Sequence, residues 1–409
     1  MRILIVSIYY PPEPVPKPGE LAIGLARRGH DVTVLTGVPS YPSGRVHPGY
    51  RNGWPRQESV NGVRVIRLPT FPDRSAVAWR RSLHYALFAV GATLGGLLRA
   101  GPQDIVYVWG NPPTSGLAGY LVSRVRRARF VYGVHDLWPD LALASRMVRP
   151  GAFVGLIRRL ERFLWRRADL VLPVSEGFRS TIVQEVGRPA EVITLPHWAD
   201  ASVYRPVPRP AALASELGVD GRFTILYAGN LGRLQGLENL IRAAALVRDT
   251  EPQLRVLLAG AGIERPELER VARAAGATNV QFLGAVPPER VVELSMVADA
   301  LYVGLLSDGI AERSVPSKFI TYLACGRPII CNVPGETTRI TTQEAVGVVC
   351  DRNAPDGIAE AMRKLMAMGP EARAAMGERA LAAFRRVYDM ELLLDKHDAL
   401  MRGLVPDAR

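Results

Sequence analysis

Cysteine is scarce in this chain. Of 409 residues only Cys325, Cys331 and Cys350 are cysteines, and none stands in a C-x-x-C pair. That argues against a disulfide framework and points to a reducing compartment. No G-x-G-x-x-G follows the opening apolar run; "RILIVSI" leads instead into "SIYYPPEPVPKPGELA". A dinucleotide-dependent oxidoreductase is thereby disfavoured. G-x-x-x-x-G-K-[ST] is missing too, so a P-loop enzyme is not expected. Without a D-x-D or a histidine cluster at ligand spacing, no bound metal is expected. The uncharged run from Ser82 to Leu98 falls short of the roughly 20 residues that a bilayer span requires. The N-terminal "MRILIVSIYYPPEP" reads as a buried strand, not as a signal peptide.

Acidic residues are thin in the first half. Residues 1–200 hold 26 Lys+Arg against 14 Asp+Glu, whereas residues 201–409 hold 25 of each. The whole net charge of +12 therefore lies in the first half. A basic surface attracts anionic partners, and phosphate-bearing substrates, nucleic acid and an anionic membrane face are all of that kind. Two stretches sharpen the point. Arg74, Trp79, Arg80 and Arg81 lead the uncharged run, and "GLIRRLERFLWRRADL" sets five arginines around Phe163, Leu164 and Trp165. Basic, aromatic, amphipathic helices lie on anionic bilayers, but ordinary packing helices with solvated arginine faces have the same composition.

What is present is a repeated alternation. "RILIVSI", "DVTVLTG", "GVRVIRL", "DIVYVWG", "ARFVYGV", "ADLVLPV" and "AEVITLP" read as strands, mostly separated by helical patterns. A Pro-rich pause at residues 197–222 marks a linker. The alternation then restarts with "FTILYAG", "LRVLLAG", "NVQFLG", "ADALYVGLL", "RPIICN" and "GVVCD". This predicts an α/β fold of two doubly wound domains facing a cleft. The domains expected are residues 1–200, residues 201–385 and a C-terminal helix, 386–409, crossing back to the first domain. The tail from about 383 to 404 reads as one long helix.

In such sheets ligands bind beyond the carboxyl ends of the strands. In "YAGNLGRLQGLENL" Gly229 and Gly232 allow close backbone approach, and Arg233 adds a charged fork before a helix start that suits a diphosphate. Gly260 and Gly262 follow the next strand, where a tight turn explains them equally well. Ser317 and Lys318 precede a helix; Lys318 has the reach for a phosphate, and Ser317 is also a candidate N-cap. His135 and Asp136 follow a strand of the first domain.

Taken in order, "YYPPEP", "VHDLWPD", "VSEGF", "LPHWAD", "LYAGNLGRLQGLENL", "LLAGAGIERPELE", "VPSKFITYLACGRPII" and "VPGE" resemble glycosyltransferase family 4, retaining enzymes of the GT-B fold. The likeness spans nearly the whole chain and is nearest to bacterial O-antigen and capsule enzymes of the N-acetylfucosaminyltransferase type. It implies a nucleotide-diphosphate sugar as donor, a UDP-sugar being favoured, with an N-acetylated or deoxy hexose among the sugars it would carry. The acceptor implied is a glycan, a lipid-linked or a small-molecule hydroxyl. No nucleic acid partner follows from it. The site implied is cytoplasmic, with the inner face of the membrane as an option. Arg233 and Lys318 would hold the diphosphate, Val286 would meet the base through its backbone, and His135 would contact the sugar. Gly19 would face the sugar or phosphate. The family's glutamate pair falls here on Arg313 and Thr321, with Glu312 one place off, so Thr321 stands where a ribose-binding carboxylate is usual. Gln235 replaces a common lysine, and Gly19 stands alone where two glycines are usual. The alternatives are a nucleotide-sugar epimerase of the same fold and a non-catalytic nucleotide-sugar-binding protein.

Overall fold

The computed structural model describes residues 1–73, 78–110, 112–144, 150–188, 191–306, 309–350 and 354–405. Arg74 and the side chain of Trp79 lie outside the described residues. The chain forms two compact units, Met1–Leu195 with Leu394–Arg409, and Pro196–Leu393.

The first unit opens with β1 (Arg2–Val6), α1 (Lys17–Arg27), β2 (Asp31–Gly37), β3 (Arg56–Val60) and β4 (Val63–Leu68). It continues through α2 (Ala78–Leu98), β5 (Ile105–Trp109), α3 (Pro113–Arg126) and β6 (Arg129–Val134). Then come α4 (Trp138–Ala144), α5 (Ala152–Arg167), β7 (Leu170–Pro173) and α6 (Glu176–Val186). Its seven strands run in the order β3-β4-β2-β1-β5-β6-β7. All pairs are parallel except β3 with β4. The inner strands are uninterrupted aliphatic and aromatic runs because helices cover both sheet faces.

The second unit contains α7 (Ala211–Glu216), β8 (Phe223–Ala228), α8 (Leu237–Val247), β9 (Leu254–Ala259) and α9 (Arg265–Ala274). There follow β10 (Val280–Gly284), α10 (Pro288–Val297), β11 (Ala300–Gly304), α11 (Ser317–Ala324) and β12 (Ile329–Asn332). It ends with α12 (Glu336–Gln343), β13 (Gly347–Val349), α13 (Pro355–Ala367) and α14 (Pro370–Val387). The six strands are all parallel, in the order β10-β9-β8-β11-β12-β13. Both sheets thus have the doubly wound arrangement that the strand spacing predicts.

Three local expectations are corrected. "AEVITLP" is not a strand; Val192 makes only an isolated bridge to Val171. β3, "RQESV", is a real edge strand that its polar composition hid. The tail is two helices, α14 and α15 (Met390–Leu404), not one. The break has a cause: the Asp389 carboxylate accepts from Glu391 N and Leu392 N, capping α15. Ala199 also bonds across the break, donating to Tyr388 O and accepting from Met390 N.

From Leu394 onward α15 belongs to the first unit. Leu394 sits against Gly24, where an added Cβ would be 2.5 Å away. The Arg28 guanidinium meets Asp395 at 2.7 Å, and the His30 ring meets Asp398 at 2.6 Å.

Candidate active site

In the second unit β8 and β11 are neighbours, yet the chain winds away from them in opposite directions. This switch point is where loops part and leave room for a ligand. The loop after β8 begins at Gly229 (φ +147). The loop after β9 begins at Gly260 (φ +148), and a Cβ there would lie 1.8 Å from Gly229 O. A Cβ on Gly262 would lie 2.1 Å from Leu231 O. The two loops are therefore laid backbone on backbone, joined by Gly229 N to Ala259 O and Leu231 N to Ala261 O, both 2.8 Å. Packing of one loop on the other is reason enough for glycine at both 260 and 262.

Lys318 closes onto this cradle. Its Nζ lies 3.6 Å from the centroid of the Tyr227 ring, and a Cβ on Gly229 would be 2.7 Å from it. Residue 229 must be glycine for the amine to sit there. The residue as a whole is only half-buried, but its Nζ end lies against the Tyr227 ring and Gly229. Burial pushes the ammonium from its usual 10.5 down to about 7. Among the described residues no carboxylate pairs with it. Tyr227 beneath it donates its own hydroxyl to Asn230 O at 2.6 Å, which pins the loop.

Ser317 is the first residue of α11, with Pro316 at the cap position and no side-chain cap bond. It is exposed, and it is not the N-cap. The Phe319 amide donates to Pro316 O at 2.9 Å, and the amides of Ser317 and Lys318 have no side-chain cap. Thr321, one turn on, donates its hydroxyl to Lys318 O at 2.9 Å, which leaves its oxygen able to accept. Arg233 opens a short 3-10 turn and is exposed. Gln235 ends that turn; its Oε1 is buried without a hydrogen-bond partner and lies 2.8 Å from where a Cβ on Gly232 would stand. Gly236 (φ +59) then starts α8. Val286, after β10, packs against the hydrophobic cluster that contains Phe319 of α11.

Nine of the eleven predicted residues thus fall in the second unit, and Gly19 and His135 fall in the first. Gly19 is buried, and a Cβ on it would be 2.7 Å from Pro11 Cγ. His135 stacks on Trp109, ring centroids 3.5 Å apart and planes 11° from parallel. The first unit also has a cavity of about 390 Å³. It is lined by Tyr9, Tyr41, Asp73, Arg81, His84 and Tyr85, among others.

Sequence reasoning missed Tyr227 and Tyr322. The Tyr322 hydroxyl accepts from Ala228 N at 2.8 Å, anchoring α11 to the end of β8. A tyrosine inside an otherwise apolar strand and another inside an apolar helix were the available signals. The lysine-on-tyrosine contact joins positions far apart in sequence and appears only once β8 and α11 are side by side.

A switch-point loop of glycines, a helix start without a side-chain cap and a lysine with no carboxylate partner among the described residues are features that suit an anion. The comparisons agree on the class of protein. The family model described as "Glycosyl transferase 4-like domain" matches residues 18–198, and "Glycosyl transferases group 1" matches residues 210–382. A glycosyl transferase of Escherichia coli K12 named for colanic acid biosynthesis, WcaI, is 30% identical over 80% of this chain and 82% of its own. The glycosyltransferase WbjE of Pseudomonas aeruginosa is 24% identical over 76% and 77%. Among solved structures, sucrose-phosphate synthase of Thermosynechococcus elongatus superposes with a TM-score of 0.79 at 18% identity, covering 100% of both chains. Anabaena HepE in complex with UDP-glucose gives 0.69 at 18% identity over 98% of this chain and 100% of its own. The chain belongs to the glycosyltransferases of the family 4 type and has their GT-B fold.

Proposed function

We propose that the enzyme is a retaining hexosyltransferase that takes a nucleoside-diphosphate sugar, by preference a UDP-sugar, and glycosylates a hydroxyl of a glycan or lipid-linked acceptor. The observation that carries this reading is Lys318. A cation held at about 7 by burial, beside Gly229 and the start of α11, gains its charge back when an anion arrives. A diphosphate is the anion that matches both a lysine and the amides of Ser317 and Lys318 at the helix start. HepE, of the same fold, has been crystallised with UDP and with UDP-glucose, which supports a uridine nucleotide.

In the transfer the bond between the anomeric carbon and the diphosphate oxygen breaks, and its electrons leave with that oxygen. The acceptor oxygen bonds to the same face of the anomeric carbon, and its proton passes to the departing phosphate. Lys318 and Arg233 stabilise the charge that grows on the leaving group, with Ser317 beside them at the helix start. Gly229 and Gly232 allow the backbone to approach the diphosphate, and Gly260 and Gly262 hold that loop in place. Thr321 accepts from the ribose, and the backbone at Val286 meets the base. His135, stacked on Trp109, and Gly19 are the first unit's own candidates for contact with a sugar. The first unit takes the acceptor, and its cavity offers tyrosine faces for a sugar ring and Arg81 for an anionic group. The enzyme works in the cytoplasm or at the inner face of the membrane.

The test is release of free nucleotide from a panel of nucleotide sugars, with and without acceptors. Slow hydrolysis of one donor identifies it. Arg233→Ala and Lys318→Ala should each lower turnover by roughly 10²-fold or more. Unchanged rates reject the assignment, and interconversion of nucleotide sugars without release points to an epimerase.

A further inference from the structure

Helix α2 exposes Leu83, Leu87, Val90, Leu94 and Leu98, spaced at three or four residues throughout. That spacing puts them on one stripe, while Phe88 and Ala92 of the same helix are fully buried. The exposure is large: Val90 57%, Leu94 53% and Leu98 78%. Helix α3 lies alongside. Thr114 Oγ1 donates to Tyr85 O at one end, Arg126 donates to Leu97 O at the other, and a Cβ on Gly96 would be 2.5 Å from Val122. Start meets start and end meets end, so the helices run parallel. α3 exposes Leu117, Leu121 and Val125, again at four-residue steps. Two neighbouring helices thus present aliphatic stripes on the outside of one unit, where single scattered apolar residues are the rule.

The charge around these stripes is mostly of one sign. From Asp73 to Asp136 there are eight arginines and three carboxylates, Asp73, Asp104 and Asp136. Asp104 is engaged by Arg2 at 2.5 Å and Asp73 by Arg80 at 3.6 Å. Arg80 and Arg99 are exposed at the two ends of α2, and Arg124 and Arg127 are exposed at the end of α3. Beyond α3, Phe163 of α5 meets Tyr120 edge-on and lies under the Arg167 guanidinium. A second copy of this chain would set arginine against arginine on such a face. An anionic bilayer satisfies both parts at once, acyl chains for the leucines and phosphates for the arginines. Among the described residues no helix is long and apolar enough to cross a membrane.

We infer that the α2–α3 face docks on an anionic phospholipid surface, with Leu87, Val90, Leu94 and Val125 entering the acyl boundary and Arg99, Arg124 and Arg127 on the phosphates. The same helix turns Arg81, His84 and Tyr85 into the cavity of the first unit. A lipid-linked acceptor anchored in that bilayer has its head group delivered beside α2; this last step rests on the transfer proposed above.

The experiment is flotation of the full chain with vesicles of phosphatidylglycerol and phosphatidylcholine, and with phosphatidylcholine alone. Binding should require phosphatidylglycerol and weaken with salt. L87E/V90E/L94E should reduce binding at least about tenfold, and R99S/R124S/R127S should reduce it by about a hundredfold at fivefold per arginine. Both variants should keep the wild-type melting temperature, since the substituted side chains are exposed, and donor hydrolysis, since none lies in the second unit. No binding at low salt overturns the inference and leaves the donor result standing. Vesicle binding without donor turnover does the reverse. A wild-type dimer that L87E/V90E/L94E makes monomeric, with no vesicle binding, assigns the face to a second copy.

Discussion

The two units have the same core strand order but treat charge at their switch points in opposite ways. In the first unit the loop after β1 carries Glu13, which is buried. Its carboxylate accepts from Tyr10 N at 3.2 Å and from Ser40 N and Tyr41 N at 2.9 Å each. The unit thus supplies its own anion to its own amides. In the second unit the corresponding loop contains no carboxylate, and the charged group set against it is a cation, Lys318. One winding pattern therefore yields a self-satisfied turn in one place and a site that needs an outside anion in the other. The fold alone does not specify which.

Glu13→Ala would break the comparison most severely on the first side. It strands three amides, at a cost of about 2–4 kcal/mol. Thermal or denaturant unfolding should register that loss, and donor hydrolysis by the folded fraction should persist. If stability is unchanged, Glu13 is not the internal anion argued here.

The second side is sharpened by pH. Lys318 is held at about 7 when folded against an ordinary 10.5. Between those values the unfolded chain holds the extra proton, so the stability of the donor-free protein should rise with pH across that window. Donor binding should in turn take up a proton above about pH 7, and affinity should fall as pH rises further. Calorimetry in two buffers of different ionisation enthalpy measures that uptake. Lys318→Met should abolish both effects.

Glu161, buried in α5, is a smaller contrast within the first unit. Burial pushes its carboxyl from 4.5 up to about 8, although it accepts from Trp138 N at 3.3 Å. Between pH 4.5 and 8 the unfolded chain holds fewer protons, so this group's contribution is lost as pH rises. Glu161→Gln keeps the acceptor and removes the slope. The variant should gain melting temperature relative to wild type at pH 8 and not at pH 5. The smallest effect expected is that of Thr321→Glu, a several-fold change in donor affinity with little change in turnover at saturation. Unaltered affinity would remove Thr321 from the ribose.

Much of this was legible in the sequence because parallel strands are written as unbroken apolar runs and glycine loops follow them. Gly229, Arg233 and Lys318 were visible as a loop and a helix start. β3 was not legible, since "RQESV" is polar and half-exposed and takes its conformation from pairing with β4. The break at Asp389 had a readable cap, which the apolar pattern on either side overrode. The state of Lys318 could not be read at all. It depends on Tyr227 lying beneath the amine and on Gly229 lacking a side chain above it, which are facts of three-dimensional adjacency.

The chain has 51 basic residues, but only Lys17, Lys318, Lys364 and Lys396 are lysines. An amine held at about 7 is largely uncharged in mildly alkaline solution, where ordinary lysines remain ammonium. Its depressed pKa should therefore make Lys318 more reactive than Lys17, Lys364 and Lys396 toward an acylating reagent small enough to reach it. A bound diphosphate would both reprotonate and cover it. The rate of acylation at this one residue thus becomes a direct gauge of donor occupancy, with no label on the sugar and no acceptor present.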